Sequence, residues 1–191
     1  MPRLHPHHAT TGLCLGLLLC LAAPMPAGAE RADRTRPIVV EADRPGTLDL
    51  QRQVVIFNGN VQIVQGTMVI RAERIEVREQ PSGHRIAVAT GVAGRPATFR
   101  QKRDGVDEHV EASADRIEYD SRSGTLVFAG NASVRRLRGS EVADQITGGL
   151  IRWDDSAELF SVEGGAADGG GGRVRAVLTP PPPAASEPAG R

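Results

Sequence analysis

Hydrophobic and polar residues alternate with a period of two along most of this chain. The alternation runs through residues 53–57, 61–65, 67–73, 74–78, 116–119, 125–128, 133–137, 150–153 and 159–163. Successive side chains of an extended strand point to opposite faces, so this period predicts strands with one dry and one wet face. Turn-forming residues punctuate it at Gly46, Asn58-Gly59-Asn60, Gly66, Pro81-Ser82-Gly83, Gly94-Arg95-Pro96, Gly124, Gly130-Asn131 and Gly148-Gly149. Breaks at this spacing predict an all-β sandwich, jelly roll or barrel of about 14–16 short strands, with no amphipathic helix.

One phrase occurs twice. Val55-Ile56-Phe57-Asn58-Gly59-Asn60-Val61 returns as Leu126-Val127-Phe128-Ala129-Gly130-Asn131-Ala132, so that Phe57 and Phe128 stand 71 residues apart. A strand that runs into Gly-Asn and out again reads as a tight β-hairpin. A second phrase, Ala followed by an acid, recurs at Ala42-Asp43, Ala72-Glu73, Ala114-Asp115 and Ala143-Asp144. Together they predict a two-hairpin unit used twice.

The first 29 residues read as a secretory leader: Arg3, an apolar run over 13–23, Pro24 and Pro26, then Ala27-Gly28-Ala29. An apolar run this short does not span a bilayer as a helix, which needs about 20 residues. Its removal would take Cys14 and Cys20 with it, leaving no thiol, disulfide or thiolate metal site, and 22 basic against 23 acidic residues, net −1. Near-neutral charge points away from a general nucleic-acid binder. The expected organisation is leader 1–29, linker 30–36, one β domain 37–178 and a Pro/Ala-rich tail 179–191, with a glycine-rich loop at 164–172.

The chain holds six aromatic residues, Phe57, Phe99, Tyr119, Phe128, Trp153 and Phe160. The other inward candidates, such as Ile63, Ile70, Val134 and Ile146, are medium aliphatics. Such an interior can be filled by its own side chains or splayed open for an apolar guest. The last alternating segment, 173–178, follows the glycine run and reads as an edge strand, whose unpaired N–H and C=O groups invite another chain.

Catalytic patterns are missing: there is no Gly-Lys-Ser/Thr phosphate loop and no Gly-x-Ser-x-Gly elbow. His84 and His109 stand in turn-like or polar strand settings and read as surface residues. Asp120, Asp154 and Asp155 could be imagined as paired acids for glycoside cleavage, but Asp beside a strand is usually a turn former. No enzyme, cofactor or metal site is expected.

Several motifs in register resemble the OstA-like family. They are Pro37-Ile38-Val39-Val40-Glu41-Ala42-Asp43, Leu48-Asp49-Leu50, Phe57-Asn58-Gly59-Asn60-Val61 and Gln65-Gly66-Thr67-Met68-Val69-Ile70-Arg71-Ala72-Glu73, followed by Gly94-Arg95-Pro96-Ala97-Thr98-Phe99-Arg100-Gln101, Gly130-Asn131-Ala132 and Arg173-Val174-Arg175-Ala176-Val177-Leu178. The glycine-rich insertion and the Pro/Ala tail depart from the family pattern. The resemblance implies a twisted, partly open antiparallel β-jelly roll in the periplasm that shields the acyl chains of lipid A, the apolar anchor of lipopolysaccharide. It implies head-to-tail assembly between an LptC-like inner-membrane partner at the N-terminal edge and an LptD-like outer-membrane partner at the C-terminal edge. On that reading the lipid-facing residues are Ile38, Val40, Val55, Phe57, Ile63, Ile70, Phe99, Ile117, Tyr119, Leu126 and Phe128. The edges for partners are Pro37, Ile38, Val39 and Val40 at one end, and Val174, Ala176 and Leu178 at the other. The competing readings are an LptC-like anchored component of the same pathway and a secreted β-solenoid that grips polysaccharide or cell wall; exposed aromatics would favour the latter.

Overall fold

A computed structural model of the chain describes residue 33 and residues 35–103, 105–154, 157, 159–164 and 172–180. The expected leader, most of the expected linker and of the glycine run, and the residues beyond 180 lie outside the described residues. Twelve strands follow one another: β1 (Val39–Glu41), β2 (Arg44–Asp49), β3 (Val54–Gln65), β4 (Met68–Glu79), β5 (Arg85–Thr90), β6 (Ala97–Lys102), β7 (Glu108–Ala114), β8 (Arg116–Asp120), β9 (Thr125–Arg138), β10 (Glu141–Asp154), β11 (Leu159–Glu163) and β12 (Arg175–Leu178). All pairing between them is antiparallel.

Four long strands, β3, β4, β9 and β10, carry the architecture, because each changes partners half-way. One half of β3 pairs with β1 and the other with β2. β4 divides between β6 and β5, β9 between β7 and β8, and β10 between β12 and β11. The result is two arms sharing a bent spine. The first runs β1-β3-β4-β6-β7-β9-β10-β12 and the second β2-β3-β4-β5-β8-β9-β10-β11. The arms face each other as a jelly roll: Phe99 on the first meets Phe128 and Trp153 on the second edge-on, with ring centroids 5.7 and 5.4 Å apart.

The repeated Gly-Asn phrase marks the bends and not hairpin turns, which corrects the sequence reading. Gly59 and Asn60 lie inside β3 with φ of 77° and 44°, and Gly130 and Asn131 lie inside β9 with φ of 76° and 46°. Two successive left-handed residues also build a type I′ hairpin turn, which is why the local signal is ambiguous. Here they make a bulge, with the register slipping between Asn58 and Val61. Gly148-Gly149 likewise sits within β10, at a register shift, instead of ending a strand. Segments 53–57 and 61–65 are therefore one strand, as are 67–73 and 74–78. The described residues therefore hold twelve strands where about 14–16 were expected, because four expected pairs are single bent strands.

The repeat is deeper than a pair of hairpins. The pairings β1–β3, β2–β3, β3–β4, β4–β5 and β4–β6 recur in the second half as β7–β9, β8–β9, β9–β10, β10–β11 and β10–β12. In two of the four Ala-acid phrases the acidic residue closes a Gly-Asn bend in the same way: Asp43 N–H donates to Gly59 O and Asp115 N–H to Gly130 O, both at 2.9 Å.

Residue size follows the bend. Along the corner the inward positions are Val61 opposite Ala72, Ala97 opposite Ala114, and Ala132 opposite Gly148. Small side chains suit the place where a continuous strand brings both arms together. Larger residues lie further out, ending with Trp153 stacked on Phe160 at 5.4 Å. Beyond the first turn, the N-terminal segment closes one stretch of the seam: Asp33 accepts hydrogen bonds from the Thr67 N–H and hydroxyl, and Gln65 donates to Arg36 O.

Candidate functional site

The interior face is built by strand register. On the first arm a row runs through Val40, Ile63, Ile70, Phe99, Ala112, Val134, Ile146 and Ala176. On the second a facing row runs through Leu48, Val55, Val77, Ala87, Tyr119, Leu126, Trp153 and Phe160. Each row is apolar from one edge of the sheet to the other.

The eleven lipid-facing candidates belong to this interior, but in two environments. Ile63, Ile70, Phe99, Ile117, Tyr119, Leu126 and Phe128 are buried and pack against one another in the central core. Ile38, Val40, Val55 and Phe57 are half-buried at the N-terminal end. Between the arms at the C-terminal end lies a cavity of about 380 Å³, at the low end of ordinary small-ligand sites. None of the eleven lines it. Its apolar wall is Val110, Val134, Ile146, Trp153, Phe160 and the edge residue Leu178. The signal for one of these was in the repeat: Val134 stands 71 residues after Ile63, whereas Ile146 takes the place of Ile70 only through strand pairing.

A charged lip bounds this cavity. Arg103, Arg136 and Asp144 line it, and Glu108 joins them. Arg136 donates to both Glu108 oxygens at 3.0 Å and pairs with Asp144; Arg103 donates to Glu108 at 2.5 Å, and Arg138 donates to the same carboxylate at 3.3 Å. Burial pushes the Glu108 carboxyl up, but the hydrogen bonds and charges of Arg136 and Arg103 outweigh it and hold the group below the ordinary carboxylate value. The hydrogen bond to Asp144 acts against burial to raise the Arg136 guanidinium, with Glu108 adding to it.

The remaining polar candidates sit as structural groups. Asp120 accepts the Arg122 N–H and Asp154 the Ala157 N–H, both in turns; Asp155 lies outside the described residues. His84 shares a 2.6 Å hydrogen bond with Ser82 Oγ. The edge candidates lie on outermost strands: Val39 and Val40 in β1, with Pro37 and Ile38 just before it, and Ala176 and Leu178 in β12, with Val174 just before it.

A family model described as the LptA/(LptD N-terminal domain) LPS transport protein matches residues 39–158. The lipopolysaccharide export system protein LptA of Escherichia coli K12 is 36% identical over 141 residues, spanning 72% of this chain and 75% of the relative. The chain belongs to this family. Within it, LptA of Haemophilus influenzae is 30% identical over 152 residues, 78% of this chain and 83% of its own length. LptH of Pseudomonas aeruginosa, described as the LptA-homologous periplasmic component of the lipopolysaccharide transport device, has a similar fold: TM-score 0.67 at 22% identity, covering 78% of this chain and 99% of that one.

Proposed function

We propose that this member of the LptA family carries lipopolysaccharide across the periplasm, sheltering the acyl chains of lipid A against the interior of the roll. The observation that carries this reading is an apolar interior face that runs from one edge of the sheet to the other, with a greasy cavity at its C-terminal end. An acyl chain exposed to water costs about 0.8 kcal/mol per methylene, so a dozen methylenes cost on the order of 10 kcal/mol. A continuous apolar wall removes most of that cost without catalysis. The cavity and the half-buried N-terminal end are where chains first lodge; the central residues from Ile63 to Phe128 line the route once the arms part. The molecule bridges the two membranes end to end, an LptC-like protein pairing with β1 and β2 and an LptD-like protein with β11 and β12, and further copies can extend the bridge.

Photo-crosslinking tests the lipid site. A photoreactive residue at Ile146, Phe160 or Phe57 is expected to capture lipopolysaccharide, and one at Glu118, which alternates with the buried Ile117 and Tyr119 and faces outward, is not. Equal capture at Glu118, or none at the three interior positions, would sink the proposal.

A further inference from the structure

We propose that the joint between two copies repeats, residue against residue, the joint between the two halves of one chain. This rests on the end-to-end reading above and adds the register and the chemistry that read it. Inside the chain, the first half does not end at β5 and β6: β5 hands on to β8 and β6 to β7. β11 and β12 occupy the same places in the second half, and among the described residues no strand lies beyond them. β1 and β2 occupy the places of β7 and β8.

The correspondence fixes the pairing. Phe99 stands opposite Ile70 as Ala176 stands opposite Ile146, and Ala112 opposite Val134 as Val40 opposite Ile63. Phe99 pairs with Ala112, so Ala176 pairs with Val40 of the next copy. The same shift sets Arg175 against Glu41, Val177 against Val39 and Leu178 against Ile38. On the other arm Ala87 pairs with Tyr119, so Phe160 pairs with Leu48 of the next copy.

Three observations favour this register. Among the described residues, seven of the ten exposed large hydrophobics are at the two ends: Val39, Leu48 and Leu50 at one, Leu159, Val174, Val177 and Leu178 at the other. Leu48 is 62% and Leu178 72% exposed, and the joint covers both. Arg175 and Glu41 are placed directly opposite, the pairing of unlike charges that antiparallel strands favour. Finally, Ile38 and Val40 pack toward the core, so they extend the cavity wall at Ile146 and Leu178 into the next molecule. A slip of one residue would turn Glu41 and Val39 inward and break that wall.

Cysteine pairs and a charge swap read the register, in the chain with Cys14 and Cys20 changed to Ser. Val39→Cys with Val177→Cys is expected to give a ladder of disulfide-linked oligomers, because directly opposite residues fall within disulfide reach. Val39→Cys with Arg175→Cys, a diagonal pair, is expected to give none. Arg175→Glu or Glu41→Arg alone should weaken assembly about two- to five-fold, and both together in one chain should restore it. A ladder from the diagonal pair, or no rescue by the double reversal while the unaltered chain still assembles, overturns the register. A chain that stays monomeric at every concentration overturns the end-to-end reading and the register with it, while lipopolysaccharide capture tests the groove separately.

Discussion

Gly130 and Gly94 share a φ of 76° and differ in what surrounds them. A Cβ on Gly94 would meet nothing within 4 Å, whereas one on Gly130 would lie 2.4 Å from Asp115 Oδ2 and 3.0 Å from its Cβ. Gly94→Ala therefore carries only the left-handed backbone strain, about 1–2 kcal/mol. Gly130→Ala adds displacement of the Asp115 side chain, which accepts a 2.9 Å hydrogen bond from Asn131. Thermal unfolding should place Gly130→Ala below Gly94→Ala by several degrees; equal melting would show that the bend tolerates a side chain. Glu108 gives a second test at this scale. Its carboxyl is held below 4.5 in the folded protein, so the ion pairs stabilise the fold at neutral pH. That contribution is lost as pH falls through the folded value. Glu108→Gln should lower the melting temperature at pH 7, and the gap from the unaltered chain should narrow as acidification carries the pH down through the folded value. A gap that does not narrow on acidification would contradict the coupling.

At the scale of elements, the alternation of side chains was legible because it is local: a strand turns successive residues to opposite faces whatever its neighbours. The sequence placed Ile63, Ile70, Phe99, Ile117, Tyr119, Leu126 and Phe128 on one face, and that face is buried. Strand partners were not legible. Val54–Gln65 reads as two strands because Gly59-Asn60 has the chemistry of a hairpin turn, and only the competing partners β1 and β2 keep it a single bent strand. β12 is the element whose loss should be most telling. Its four residues are exposed and it pairs only with one half of β10, so truncation after residue 172 should leave the roll folded by circular dichroism. The shortened chain should no longer add a further copy at its C-terminal end. Mixed with the full chain, it should cap oligomers and shift their size distribution downward in size-exclusion chromatography; oligomers unchanged in size would count against β12 as a joint.

At the scale of the molecule, a duplicated unit explains both the shape and its open ends. Each half leaves a pair of edge strands for the next, and the second half finds none within the described chain. A contact that joins unlike surfaces need not close on itself, so the proposed joint, repeated, would extend as a filament. The cavity sits at the C-terminal end because the rows there finish in Trp153, Phe160 and Ala176 without a following strand to cover them. Between the two ends, Asp33 and its bonds to Thr67 close the seam beside Met68 and Leu126, where the remaining space is only about 10 Å³.

The sequence alone determined the alternation, the 71-residue recurrence and the membership of an apolar face, since each depends on residues close together in the chain. The tertiary structure decided which part of that face is packed and which is open. That depends on which strands, far apart in sequence, lie over one another, and on where the sheet runs out of partners.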